Sequence, residues 1–172
     1  MKMRLDLFIM NGWSKCVAKF YLGKGFDEYL SQIEDLANQS DEIAGKVIYS
    51  GAKVAIRKFT DAIKTIPESN NPHNGILPEQ KQGLLDGAGI TKMEINSGGT
   101  RNVKIGVSGC NNVLTKNFPK GQPNVLIARA VNSGTSIRPK NRFSDTSMKN
   151  AEGDVVTAMQ NRLDDEISKI MK

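Results

Sequence analysis

Between residues 26 and 66 apolar side chains recur in steps of three and four: Phe26, Tyr29, Leu30, Ile33, Leu36 and Ala37, then Ile43, Val47, Ile48, Ala52, Ala55, Phe59, Ile63 and Ile66. That is the spacing of one helical face. A single rod of this length would run about 60 Å at 1.5 Å per residue, more than a domain of this size covers, so the stripe must break or extend past the core. The cheapest break is Asn38-Gln39-Ser40. There Ser40 is placed to cap a second helix, with Asp41 and Glu42 at the positive end of its dipole. Two helices, or one long kinked helix, are expected. Gly45, Ser50, Gly51, Ala52 and Ala55 lie on or beside the apolar face of the second stretch, and small residues let another backbone approach closely. That backbone is either the domain's own sheet or a neighbouring subunit covering a protruding helix; the sequence leaves both open.

Residues 67–77 are rich in Pro, Asn, Ser and Gly, with almost nothing to bury, and predict a flexible loop. Pro78 then opens a short helix that stops at Gly87-Ala88-Gly89. Met93 and Ile95 alternate with Lys92 and Glu94; Asn96-Ser97-Gly98-Gly99 supplies a turn; Val103, Ile105 and Val107 alternate with Asn102, Lys104 and Gly106. This predicts a β-hairpin with one buried and one polar face. Residues 108–122 form a long loop of the kind that is usually functional or disordered. Pro123 opens a second short helix with Leu126, Ile127, Ala130 and Val131 on its inward face, and Gly134 is placed to end it in a left-handed conformation. A last helix is expected from about residue 144 to 170, turning Met148, Ala151, Val155, Ala158, Met159, Leu163, Ile167 and Ile170 inward. The pattern is an α+β fold: a long N-terminal helix or helix pair, a central antiparallel hairpin or small sheet, a short helix and a long C-terminal helix.

The chain has 172 residues, of which 38% are hydrophobic, which suits one globular domain. No stretch approaches the roughly 20 consecutive apolar residues of a membrane span, and a signal peptide is not expected. Cys16 and Cys110 form no CxxC pair, so zinc-knuckle and redox motifs are excluded. His73, the single histidine, lies in a string of turn formers. A catalytic set would have to be built around that one ring, so no catalytic, metal or cofactor residues are assigned and an enzyme is not expected.

The charge of +6 is uneven. Residues 67–143 hold 10 basic and 4 acidic side chains, whereas residues 144–172 hold 4 and 6. Lys116, Lys120, Arg129, Arg138, Lys140 and Arg142 cluster strongly enough for a local positive field. Only Phe118 and Phe143 accompany them, fewer aromatics than a surface that stacks on bases would interleave. The partner of this segment is either DNA or an acidic protein face.

Gly25-Phe26-Asp27-Glu28-Tyr29-Leu30 opening a long helix, Gly51-Ala52-Lys53-Val54, Leu84-Leu85-Asp86, Asn102-Val103-Lys104-Ile105-Gly106, Gly121-Gln122-Pro123-Asn124, Leu126-Ile127-Ala128-Arg129 and Ser133-Gly134-Thr135-Ser136 together resemble the neck or tail-completion proteins of long-tailed phages. These are minor tail or head-tail joining components, and this copy resembles one from a prophage of a Gram-positive bacterium. The resemblance covers about residues 18–172 and is most specific from Leu126 to Ser136. It implies a small α+β subunit without catalysis or cofactor, assembling as a six-fold ring between head-closure or connector proteins and the tail tube or tail terminator. It places the protein in the virion, and in the host cytoplasm during assembly. Two departures stand out. Many members carry a Pro-Phe pair before the last helix, where this chain has Arg142-Phe143. Residues 1–16 have no counterpart, and Val17-Ala18-Lys19-Phe20 resembles a usual beginning. Residues 1–16 are therefore an extension of doubtful authenticity, with translation expected from Val17, and residues 17–172 are the single domain.

Three functions compete. In the first, the chain is a structural neck protein in which each subunit uses two different patches to close a ring. The second is a small basic protein that binds nucleic acid non-specifically. The third is a metal-dependent nuclease using Asp86, Glu94 and Asp145, against which no two acids fall at a spacing that directs them to one site. Under the first, the candidate contact residues are Lys116, Phe118 and Lys120 in the long loop and Arg138, Lys140 and Arg142 before the last helix; Gly134 and Thr135 form a structural turn.

Overall fold

A computed structural model describes residues 24–71 and 73–171; the expected N-terminal extension, residues 1–16, lies outside them. The first apolar stripe forms α1 (Lys24–Asn38) and α2 (Ser40–Lys64). At the break between them the helical ladder continues: Gln39 N–H donates to Asp35 O and Ile43 N–H to Gln39 O, both at 3.0 Å. Ser40 therefore does not act as a cap, because hydrogen bonding that runs through the junction leaves no orphan N–H groups there. The pair is one helix interrupted at a single residue.

Helix α2 runs antiparallel to α5 (Phe143–Ile170), and its small residues explain how closely the two pack. A Cβ at Gly51 would sit 2.7 Å from Met159 Cγ, and the Ser50 hydroxyl lies 2.8 Å from Val47 O and 3.1 Å from Ala158 O of the opposite helix. Gly51, Ala52 and Ala55 are buried. The backbone they admit belongs to the chain's own C-terminal helix, in place of the sheet or the neighbouring subunit that the sequence left open. Gly45, nearer the start of α2, faces the thioether of Met93.

The core gathers at one end of this pair. Phe59, Ile63 and Ile66 meet Ile76, Leu84, Ile127, Val131 and Phe143, with the Phe59 and Phe143 rings 5.6 Å apart and tilted. Residues 67–77 are not the free loop the composition predicts. Ile76 is buried, and its N–H and C=O bond to Pro67 O and Ser69 N–H. One isoleucine, once placed in the core, closes the loop on itself.

Helix α3 (Pro78–Gly87) begins on the expected proline and ends at Gly87 as expected, and the chain passes directly into a strand. β1 (Ala88–Ile90) pairs antiparallel with β4 (Ile105–Val107), Ala88 opposite Val107, and β2 (Glu94–Ile95) pairs with β3 (Arg101–Asn102). The predicted hairpin is therefore longer and bent. Between the two paired stretches, Thr91 N–H donates to Lys104 O and Lys104 N–H to Thr91 Oγ1. Ala88, Ile105 and Val107 pack against the core, but Ile95 at the tip is 59% exposed. The expected buried face exists only where the hairpin is close enough to the core to have something to cover.

Helix α4 (Asn124–Ser133) follows Pro123 and buries Asn124, Ile127 and Val131; Leu126, expected inward, is exposed. The chain enters α5 through Arg142 in the left-handed region, φ 53°, a conformation that proline's fixed φ forbids. Asn132, at the end of α4, organises this turn. Its backbone O accepts from Arg142 N–H, its Oδ1 accepts from Ser144 N–H at 3.1 Å, and its Nδ2 donates to Asp145. The predicted inward stripe of α5 is buried or half-buried except at Leu163.

At the far end of the helix pair the buried carboxylate of Glu166 gathers three cations: Lys169 at 2.6 Å, Arg162 at 2.8 Å and Lys46 of α2 at 3.0 Å. Lys46 also bridges Glu42 at 2.7 Å. The hydrogen bond from Lys169, then that from Lys46, holds the Glu166 carboxyl down to about 2, against a burial effect acting upward. A depressed folded-state pKa contributes stability that is whole above the unfolded value and is lost as pH falls through the folded one. Thermal melts should therefore show Glu166→Gln less stable than wild type at neutral pH, with the gap closing as pH falls from about 4.5 toward about 2. Parallel melting curves across that window would assign the glutamate no such role.

Candidate functional site

A long run of charge of one sign surrounds α4. From Leu114 to Arg142 the sequence holds six basic residues and no acidic one. Ahead of α4, the segment from Asn111 to Gln122 folds back on itself: Asn111 N–H donates to Gln122 O, Gln122 N–H to Val113 O, and a tight turn links Thr115 and Phe118. Lys116 and Lys120 are exposed on it, whereas Phe118 is half-buried. After α4 a second turn pairs Thr135 with Arg138, and Asn141 N–H donates to Val131 O, folding the segment back against the helix.

Gly134 opens this second turn with φ 78° and ψ 168°. The positive φ is as expected, but the ψ lies in the extended region reserved for glycine rather than in the left-handed helical one. A Cβ there would sit 3.1 Å from Lys140 N and 3.2 Å from Arg138 O. Lys140 and Arg142 are exposed. Arg138 is half-buried, its Nε lacks a hydrogen-bond partner among the described residues, and burial pushes its pKa down.

The two predicted triplets do not converge. They flank a helix about 15 Å long, with Arg129 exposed on the outward face between them, so the charge forms a band rather than a pocket. Such a band suits an extended anionic surface and lacks the converging donors of a small-anion site. Sequence reasoning missed the apolar component of this face: Val125, Leu126 and Ile137 are 54%, 47% and 54% exposed. In a ten-residue helix, Leu126 and Ile127 are adjacent apolar positions, and periodicity alone does not say which faces in.

A second surface lies at the other end of the molecule. Tyr29 and Ile33 of α1 are exposed, and next to them a groove of about 390 Å³ is walled by Leu36, Ile43, Val47, Ile48, Leu163 and Ile167. The segment leading into it is acid-rich, residues 24–42 carrying Asp27, Glu28, Glu34, Asp35, Asp41 and Glu42 against a single Lys24, whereas beside Leu163 and Ile167 the cations Lys46, Arg162 and Lys169 gather on Glu166. Asp41 pairs with Arg101 and Glu42 with Lys46; Asp164 and Asp165 are exposed near the end of α5.

A cavity of about 550 Å³ lies between α3 and residues 108–112. Asn124 closes its floor, donating to Gly83 O at 2.7 Å and Ser108 O at 2.8 Å, and a Cβ on Gly87 would lie 2.2 Å from Ser108 O. Cys110 is exposed at its edge. The acids considered for metal-dependent chemistry are dispersed: Asp86 accepts from Gln82, Glu94 pairs with Lys104 and Asp145 accepts from Asn132. Among the described residues no group of three His, Cys, Asp or Glu side chains is placed to hold a metal ion, and no helix is long and apolar enough to cross a membrane.

Replacing Gly134 with valine adds a side chain in a glycine-only conformation against two close backbone neighbours. A cost of about 1–3 kcal/mol is expected, seen as a melting temperature lowered by several degrees; an unchanged melt would contradict the turn's conformation. No family model, no curated protein and no solved structure matches this chain.

Proposed function

We propose that the chain is a structural virion protein of the phage head-tail junction, a neck or tail-completion subunit that assembles as a ring between head-closure proteins and the tail. The observation that carries this reading is the pair of apolar surfaces outside the core, one on α1 and its groove and one on the outward face of α4. Exposed apolar patches ringed by charge mark protein–protein contact. The order of segments resembling the neck family, from residue 25 to residue 136, supplies the place of assembly.

Disrupting the gene should leave filled heads and finished tails that fail to join, or tails with abnormal ends, when lysates are viewed by electron microscopy. Full infectivity of the disrupted phage overturns the assignment.

The second reading, non-specific nucleic-acid binding, draws on the absence of any acid between residues 114 and 142. It requires affinity for duplex DNA that falls steeply with salt, in proportion to the phosphates neutralised. A gel-shift series at rising salt separates the two. The neck protein is expected to show at most weak retention lost at moderate salt; tight binding at physiological salt favours the second reading.

A further inference from the structure

We infer that the two apolar surfaces are halves of one interface, the α4 face of one copy seating in the α1–α2–α5 groove of the next. This rests on the ring reading above and names the surfaces that would build it.

The segment that forms one edge of the groove, residues 24–42, holds six acidic side chains and one basic; the segment that carries the α4 face, residues 114–142, holds six basic and none acidic. Each also presents apolar area: the groove on one side, and Val125, Leu126 and Ile137 on the other. An apolar centre with complementary charge around it is the composition of a specific interface, the charge setting register and encounter rate.

Geometry makes the contact intermolecular. Helix α5 starts directly behind the basic turn at Phe143 and reaches the groove at Leu163 and Ile167. Twenty residues of helix span about 30 Å at 1.5 Å per residue. The two surfaces are therefore held apart by a rigid helix and cannot meet within one chain. A contact between different patches on successive copies is heterologous, which generates a ring when its rotation closes. An antiparallel isologous dimer would satisfy the same pairing twice and stop at two copies, so the ring requires a scattering mass above that of a dimer.

The test uses the full chain and two double variants, Glu34→Lys with Asp35→Lys and Arg129→Glu with Lys140→Glu. All four side chains are exposed and lie outside the core. Light scattering after size exclusion should show wild type self-associating with rising concentration. Each variant alone should remain folded by circular dichroism and associate at least about tenfold more weakly, the effect of facing like charges. An equimolar mixture of the two should regain association, because each reversed end then meets its complement on the other variant. No folding defect reproduces that recovery.

A wild type that stays monomeric at high concentration, reversals that leave association unchanged, or a mixture that fails to recover would each overturn the pairing. The gene disruption still decides the neck reading separately. Trp13 is the chain's only tryptophan. If its emission in dilute monomer shifts to the red when Val47→Asp is introduced into the groove, the chain's own N-terminal segment occupies that groove, and the proposal falls.

Discussion

The close approach of α2 and α5 is the constraint on which the rest of the molecule depends. It is possible only because Gly51 has no side chain where Met159 and Val155 cross it, and because Ala52 and Ala55 keep the adjoining turns thin. Ser50 sits within hydrogen-bonding distance of a carbonyl of the facing helix, which small residues alone permit. With the two axes locked, one end of the pair can gather Phe59, Ile63 and Phe143 into a core with α3, α4 and the hairpin, while the other end is tied by Glu166 and its three cations. Hydrophobic packing holds one end and charge the other. The difference matters because burial is insensitive to pH, whereas a carboxylate hub loses its contribution when protonated.

Much of the helical architecture was legible because long amphipathic segments announce their period. The start of α3 at Pro78 and the extent of α5 follow from apolar spacing and helix-end chemistry. What the sequence concealed are the features set by distant partners. Residues 67–77 read as free loop because one isoleucine cannot signal that it will be buried. Gly87-Ala88-Gly89 reads correctly as a helix stop but gives no sign of the strand Ala88–Ile90 that follows, whose character comes only from pairing with Ile105–Val107. The caps show the same limit: Ser40 has the right chemistry but stands in an unbroken ladder, and the start of α5 is organised by Asn132, from the preceding helix.

The candidate surface was legible in its charge and illegible in its grease. Lysine and arginine declare themselves by composition, and Lys116, Lys120, Lys140 and Arg142 are exposed as that reasoning supposes. Phe118 and Arg138 are partly drawn into the local turns. Exposed Val125, Leu126 and Ile137 carry no local signature, because an outward apolar residue is recognised only once the inward ones are known. For the same reason the groove emerges only when α1 and the end of α5 are set beside α2.

A subunit built this way has a direction. Under the proposed pairing, the acid-rich segment 24–42 and the basic segment 114–142 are separated along a stiff helix pair, so neighbouring copies would be arranged head to tail, with long-range charge ordering the encounter before apolar surfaces touch. Division of labour follows from the physics of each part. Charge acts across a Debye length of about 8 Å at physiological salt and selects orientation; apolar burial, acting only at contact, supplies most of the affinity. The rigid α2–α5 pair links the two, because flexible ends could fold back and satisfy each other within one chain. Under the proposed reading, the same tightness at Gly51 that lets the protein fold also denies it an internal partner for its exposed surfaces, and so leaves those surfaces available to other copies.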